Sequence, residues 1–256
     1  MLSTAQLLIL FLVFVRILAV MATAPIFSSQ SVPVIAKIGL AALLAVLVSP
    51  TELGRSAPPP LPTELGTFLL AIGQEILFGV LIGFVSNLIF VMVTLASTMM
   101  SFQTGLQAAQ LFDPLSNVTS TVLEQFYSLI AITLFLVVNG HHWLISGLAR
   151  TFRVAPVGTF VLSQLTVDRL MTLTTEIFSI AMRIALPVAG ALLLTDLGLG
   201  LMARAVPQIQ VFFLGLPLKI GLGFLLIAFT LTIVLPIVRD MMVGTMTHIL
   251  SVGTTQ

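Results

Sequence analysis

MMSFQTGLQAAQLFDPLSNVTSTVLE, Met99 to Glu124, is the stretch on which the reading of this chain turns. It interrupts an otherwise apolar, helix-like sequence, with one greasy run beginning near Phe68 and another near Phe126. The stretch itself is amphiphilic: it holds Met99, Met100, Phe102 and Phe112 together with Gln103, Gln107 and Gln110, and it contains Gly105 and Asp113-Pro114. Proline crowds the preceding residue out of the α region, so a helix does not run unbroken through Asp113. A turn or re-entrant loop of medium polarity is therefore expected between two membrane-length helices. Non-helical backbone at membrane depth persists only when packed in protein or lining a wet cavity. The loop is accordingly read as the working part, closing a pore.

Composition sets the class. The chain is 58% hydrophobic and 7% charged, with mean hydropathy +1.19, whereas soluble domains carry roughly 25% charged residues. The expected fold is all-α, a multi-helix integral membrane protein with about six long apolar helices. A net charge of +1 leaves no basic face to neutralise phosphates, which argues against nucleic acid as a partner. The absence of cysteine rules out disulfides and thiolate metal ligation. The N-terminal segment lacks a positive leading region and carries Arg16 inside its apolar run, so it reads as a retained helix despite Ala22-Thr23-Ala24.

Working back from the central stretch, an apolar helix is expected from Thr67 to Phe102. At about 1.5 Å per residue it is roughly 50 Å long, more than a hydrocarbon core. Gly79 and Gly83 form a small-xxx-small pair that suits close approach of another backbone. Glu75 on the same helix reads as a buried acid in a structural ion pair. Upstream, the proline-rich Ser49 to Gly66 is an aqueous connection. Val34 to Val48 is a short apolar segment that Pro33 starts at a tolerated first-turn position. Thr4 to Met21 is long enough to span and ends at Pro25. Arg16 must face protein, water or headgroups, because an unpaired guanidinium against lipid costs several kcal/mol.

Downstream, Thr121-x-x-Glu124 has the form of a capping box starting a helix at Val122. That helix is expected to end in NGHHWL, Asn139 to Leu144, with Asn139-Gly140 a turn signal, and a moderately polar connection follows from Arg150 to Arg169. His141 and His142 are adjacent, so on a helix they point apart, and no carboxylate or cysteine follows at ligand spacing. Beside Trp143 they read as interfacial residues rather than a metal site. Arg169, Glu176 and Arg183 recur every seven residues, nearly two turns, and fall on one helix face. Such a stripe belongs against partner helices or a hydrated wall, with an inter-subunit charge seam the favoured form. Pro187 is expected to kink or break that helix. Asp196, Arg204, Pro207, Gln208 and Lys219 are expected in a turn region before a last helix from Leu218 to Val238, where Gly221 and Gly223 permit close packing.

Lys and Arg counts do not set an orientation, since Arg150 and Arg153 oppose Lys37 and Arg204. No 3+3 repeat of the transporter kind is visible. No HExxH, GxSxG or His/Asp cluster supports an enzyme, and the Asn117 Asn-x-Thr match carries no weight.

Four blocks give the chain a family likeness: Ala24-Pro25-Ile26-Phe27 after the first helix, GLQAAQLFDPLSN ending at Asn117, NGHHWLISGL from Asn139, and DLGLGLMARAVPQIQVFFLGLPLK from Asp196 to Lys219. On these it resembles the FliR/SpaR/YscT family of type III secretion export-gate proteins, flagellar and injectisome, over nearly its whole length. The resemblance implies a single export-gate domain over 1–256. Residues 1–165 would be FliP-like helices carrying a plug loop at 105–117, and 166–256 a FliQ-like helix hairpin. It implies one copy of the chain in a hetero-oligomer with FliP and FliQ, and contact with FlhB and FlhA through a cytoplasm-facing turn at Asp196, Arg204, Pro207 and Gln208. Unfolded flagellar proteins would be the substrates, with no cofactor. The site would be the bacterial inner membrane within the basal body, much of the assembly projecting to the periplasmic side.

On this reading Met99, Met100, Phe102, Leu111 and Phe112 fill the lumen. Apolar constrictions resist ions by dewetting, and flexible methionines reshape around a substrate. Gly105 supplies the bend, and Asp113-Pro114 stop the loop re-forming helix. The alternatives are a stand-alone solute or ion transporter using the charged fifth segment, and a purely structural scaffold of a secretion complex.

Overall fold

The computed structural model describes residues 3–29, 31–53, 64–107, 120–208 and 210–253, and no described residue lies in a strand. Seven helices follow in chain order: α1 Thr4–Thr23, α2 Val34–Leu53, α3 Leu65–Thr104, α4 Val122–Val137, α5 Gly140–Val154, α6 Gln164–Ala205 and α7 Val211–Gly253. Among the described residues, four helices have the length and apolarity to cross a membrane, or five if α4 and α5 count as one broken span. About six long apolar helices is thus the right order.

The residues form two compact units, the first comprising 1–88, 138–174 and 242–256 and the second 89–137 and 175–241. In the first unit, α1 begins at a capping box. The Ser3 N–H donates to Gln6 Oε1 at 2.9 Å and the Gln6 N–H donates back to Ser3 Oγ at 3.2 Å. Its buried residues Ile9, Leu12, Val13, Arg16, Ile17, Val20 and Met21 recur at helical spacing, which is one face. That face crosses α3 at the two glycines. A Cβ on Gly79 would lie 2.6 Å from the Arg16 carbonyl oxygen and 2.7 Å from Ala19 Cβ, and one on Gly83 would overlap Thr23 Oγ1. The small pair therefore admits a backbone, as its spacing suggests.

The close crossing brings Arg16 and Glu75 together, both fully buried. Arg16 Nε donates to Glu75 Oε2 at 2.5 Å and Nη2 donates to Oε1 at 3.0 Å. Arg16 Nη1 also donates to the Ala155 carbonyl at 2.9 Å, and the Gly158 N–H donates to Glu75 Oε1 at 2.7 Å. The guanidinium lies between the rings of Phe78 and Phe152, 4.7 Å and 4.4 Å from their centroids. Phe78 in turn stacks on Phe160 at 4.3 Å. Each hydrogen-bonding valence of a buried pair needs a partner, and here backbone of the turn after α5 supplies the remainder. Arg16 thus faces protein, and Glu75 is a structural acid.

Several boundaries differ from the sequence expectations. The connection expected from Arg150 to Arg169 is shorter, because helix α5 runs on to Val154 and α6 begins at Gln164; α5 buries Leu144, Gly147, Leu148, Thr151 and Phe152. Asn139 turns the chain in the left-handed region at φ 56, and helix resumes at once. Helix α6 runs through Pro187, and α7 runs through Pro217 and Pro236. Proline is tolerated in helices of this class because packing, side chains and local adjustment re-satisfy the freed carbonyl. Helix α2 likewise continues through Pro50 to Leu53.

Candidate functional site

The second unit holds the described ends of the central stretch. Leu111, Phe112, Asp113 and Pro114 lie outside the described residues; Met99 to Gln107 and Ser120 onward lie within them. Helix α3 stops at Thr104, and Gly105 follows at φ 81, its N–H donating to the Phe102 carbonyl at 3.2 Å. Only glycine adopts that conformation without strain. A side chain here would also meet Leu216, since a Cβ would lie 2.8 Å from its Cδ1. The bend expected at Gly105 is present.

On the far side of the stretch, the Thr121 N–H donates to Glu124 Oε2 at 3.0 Å and the Glu124 N–H donates to Thr121 Oγ1 at 3.2 Å. This capping box starts α4 at Val122, as its spacing predicts. The two ends are then joined: Ser101 Oγ and Thr121 Oγ1 lie 2.7 Å apart, buried. Residues 20 positions apart in sequence therefore meet at one hydrogen bond. Beside it Met100 is fully buried, with the Tyr127 hydroxyl 3.9 Å from its sulfur. Met100 is thus a packing residue within this chain, Met99 is half-buried, and Phe102 is 72% exposed.

The end of α3 is also held from α6 and α7. Gln103 Nε2 donates to Asp196 Oδ2 at 3.2 Å, and Lys219 Nζ donates to the same carboxylate at 2.9 Å. Asp196 and Lys219 border an open cavity of about 330 Å³ together with Leu199, Gly200 and Leu216. Gly223 faces Thr104, where a Cβ would lie 2.5 Å from its Cγ2; Gly221 has nothing within 4 Å. Of Gly221 and Gly223, Gly223 is the one that admits a close neighbour.

The turn at the end of α6 is shorter than expected. Asp196 belongs to α6 and Lys219 to α7, so they are helix residues meeting across the hairpin, while Arg204 sits in the last turn of α6. Pro207 and Gln208 do form the turn, and all three of Arg204, Pro207 and Gln208 are exposed. Burial of Leu192 and Leu199 carries the helix past Asp196. On α6, Arg169 is half-buried while Glu176 and Arg183 are exposed. Continuous helix keeps their spacing in one row, and among the described residues nothing pairs with Glu176 or Arg183. The described residues also contain no cluster of three or more metal-ligating His, Cys, Asp or Glu side chains.

Sequence reasoning missed the Ser101–Thr121 and Gln103–Asp196 links. A hydroxyl pair across a loop has no local signature, since both residues are common in helices and caps. The Asp196–Lys219 pair had one: lone opposite charges in adjoining apolar helices are expected to find each other.

Residues 7–244 match the model of the bacterial export proteins, family 1. The flagellar biosynthetic protein FliR of Escherichia coli (strain K12) is 35% identical over 221 residues, 86% of this chain and 83% of the relative. FliR of Bacillus subtilis (strain 168) is 33% identical, covering 90% of this chain and 88% of the relative. FliR of Aquifex aeolicus (strain VF5) is 29% identical, covering 91% and 88%.

Proposed function

The chain belongs to the bacterial export proteins, family 1, and from that premise we propose that it is one component of the gate of a flagellar type III export apparatus. In this reading a single copy assembles with FliP and FliQ in the inner membrane of the basal body, much of the assembly projecting to the periplasmic side. Residues 1–165 play the FliP-like part and 166–256 the FliQ-like part. The exposed turn at Arg204, Pro207 and Gln208 faces FlhB and FlhA. Glu176 and Arg183, charged and exposed on an apolar helix, are the natural contacts to neighbouring subunits, with Arg169 in the same row.

The observation that carries the gate is the Ser101–Thr121 hydrogen bond. It makes the stretch between them a closed loop on a fixed base, with Gly105 setting its exit from α3. Such a loop can present apolar residues to a passage without unravelling the helices that hold it. Leu111 and Phe112 fill the passage, Asp113-Pro114 keep the segment from becoming helix, and Met99 and Phe102 line the approach, with Met100 behind them as packing. Apolar constrictions hold back ions by dewetting while yielding to an unfolded chain.

Deleting Gly105 to Asn117 in the native host tests this. The gate reading expects an assembled complex whose membrane leaks ions or small solutes. Loss of the complex without leakage would make the loop a scaffold element instead.

A further inference from the structure

Helix α5 carries a surface that the gate does not use. Its buried side is Gly140, Leu144, Gly147, Leu148, Thr151 and Phe152. The opposite side exposes His142, Trp143, Ser146, Arg150 and Arg153, and it holds no acid, since GHHWLISGLARTFRV contains none. Trp143 is 42% exposed. With His142, Ile145, Ser146 and Ala149 it borders a shallow open depression of about 510 Å³.

Three features bear on what covers this side. Its charge is of one sign, which suits an anionic surface. Tryptophan beside arginine on the outer side of an amphipathic helix is the composition of a bilayer interface, where the indole sits at headgroup depth. And α5 begins three residues after Val137, the end of the apolar helix α4, where the chain turns at Asn139. An apolar segment that ends in a turn and an arginine-bearing amphipathic helix is arranged as chain leaving hydrocarbon for the headgroup layer. Helices α1 and α2 expose large apolar side chains, including Phe11, Ile35 and Leu47.

We infer that the outer side of α5 is a docking surface for anionic phospholipid headgroups, with Arg150 engaging phosphate and Trp143 seated in the glycerol region. This surface does not depend on the gate reading.

The chain has one tryptophan, so Trp143 fluorescence reports this site alone. The full chain is reconstituted in vesicles of phosphatidylcholine containing brominated phosphatidylglycerol or brominated phosphatidylcholine at equal mole fraction. Bromines are placed near the headgroup or near the chain end. The expected result is stronger quenching by the shallow label and by the anionic lipid. Arg150→Gln should then lose about a fivefold preference for phosphatidylglycerol, the worth of one arginine at a charged surface, while quenching by shallow phosphatidylcholine persists. Equal quenching by the two headgroups, or strongest quenching by the deep label, would overturn the assignment. So would a Trp143 reached by neither lipid in the assembled complex, which would give this surface to a protein neighbour.

Discussion

The Arg16 guanidinium and the Glu75 carboxylate meet with both side chains fully buried, 59 residues apart in sequence and bonded through two N–H···O contacts. They lock α1 to α3 and, through Ala155 and Gly158, lock both to the turn after α5. The pair is a keystone of the first unit, because each partner is the other's only carboxylate or guanidinium among the described contacts.

Removing one partner leaves the other charged and buried. Arg16→Met or Glu75→Leu alone should cost about 3–5 kcal/mol, and the double variant should recover most of it. Thermal unfolding of the detergent-solubilised protein reads the difference. Equal instability of the double and single variants would mean the pair contributes through packing rather than charge.

Gly79→Ala should destabilise by about 1–3 kcal/mol, as overpacking does, because its methyl group meets a backbone oxygen of α1 that cannot move aside. Gly73→Ala, on the same helix with nothing within 4 Å, should be neutral or slightly stabilising. Membrane accumulation and protease resistance of the two variants separate a crossing-point defect from a general intolerance of substitution in α3.

Ser101→Ala leaves the buried Thr121 hydroxyl without its partner across the loop, an expected loss of about 1–3 kcal/mol. Thr121→Val should cost more, since it also removes the α4 cap. In the native host, Ser101→Ala should raise ion leakage while the complex still assembles. Unchanged leakage with normal assembly would separate the hydrogen bond from any closing role.

Glu176→Gln and Arg183→Gln should leave the isolated chain within about 0.5 kcal/mol of native, as exposed substitutions do. If these residues contact neighbouring subunits, the variants should nonetheless weaken co-purification of partner proteins. A variant that assembles normally but loses solute uptake would instead favour a transport pathway along α6.

The legible part of the site was its local chemistry. Gly105, the Thr121/Glu124 capping box, the Gly79/Gly83 pair and the apolar helices on either side of the central stretch each follow from residues within one or two turns of one another. Helix α5 was legible too, in the spacing of Leu144, Leu148 and Phe152, but the Asn-Gly turn signal outweighed it. The extent of α6 was not: Pro187 reads as a kink or stop from local sterics alone, and the packing that compensates it is not local.

The sequence by itself determined an all-helical membrane protein interrupted by one amphiphilic loop, because apolar periodicity, capping and glycine conformation are local properties. Only the tertiary structure decided that Arg16 answers Glu75, that Ser101 closes on Thr121, and that Asp196 is shared by Gln103 and Lys219. Each of these joins residues tens of positions apart, where chain connectivity imposes no distance. Partner choice there is settled by which buried polar group stands nearest once the helices have packed.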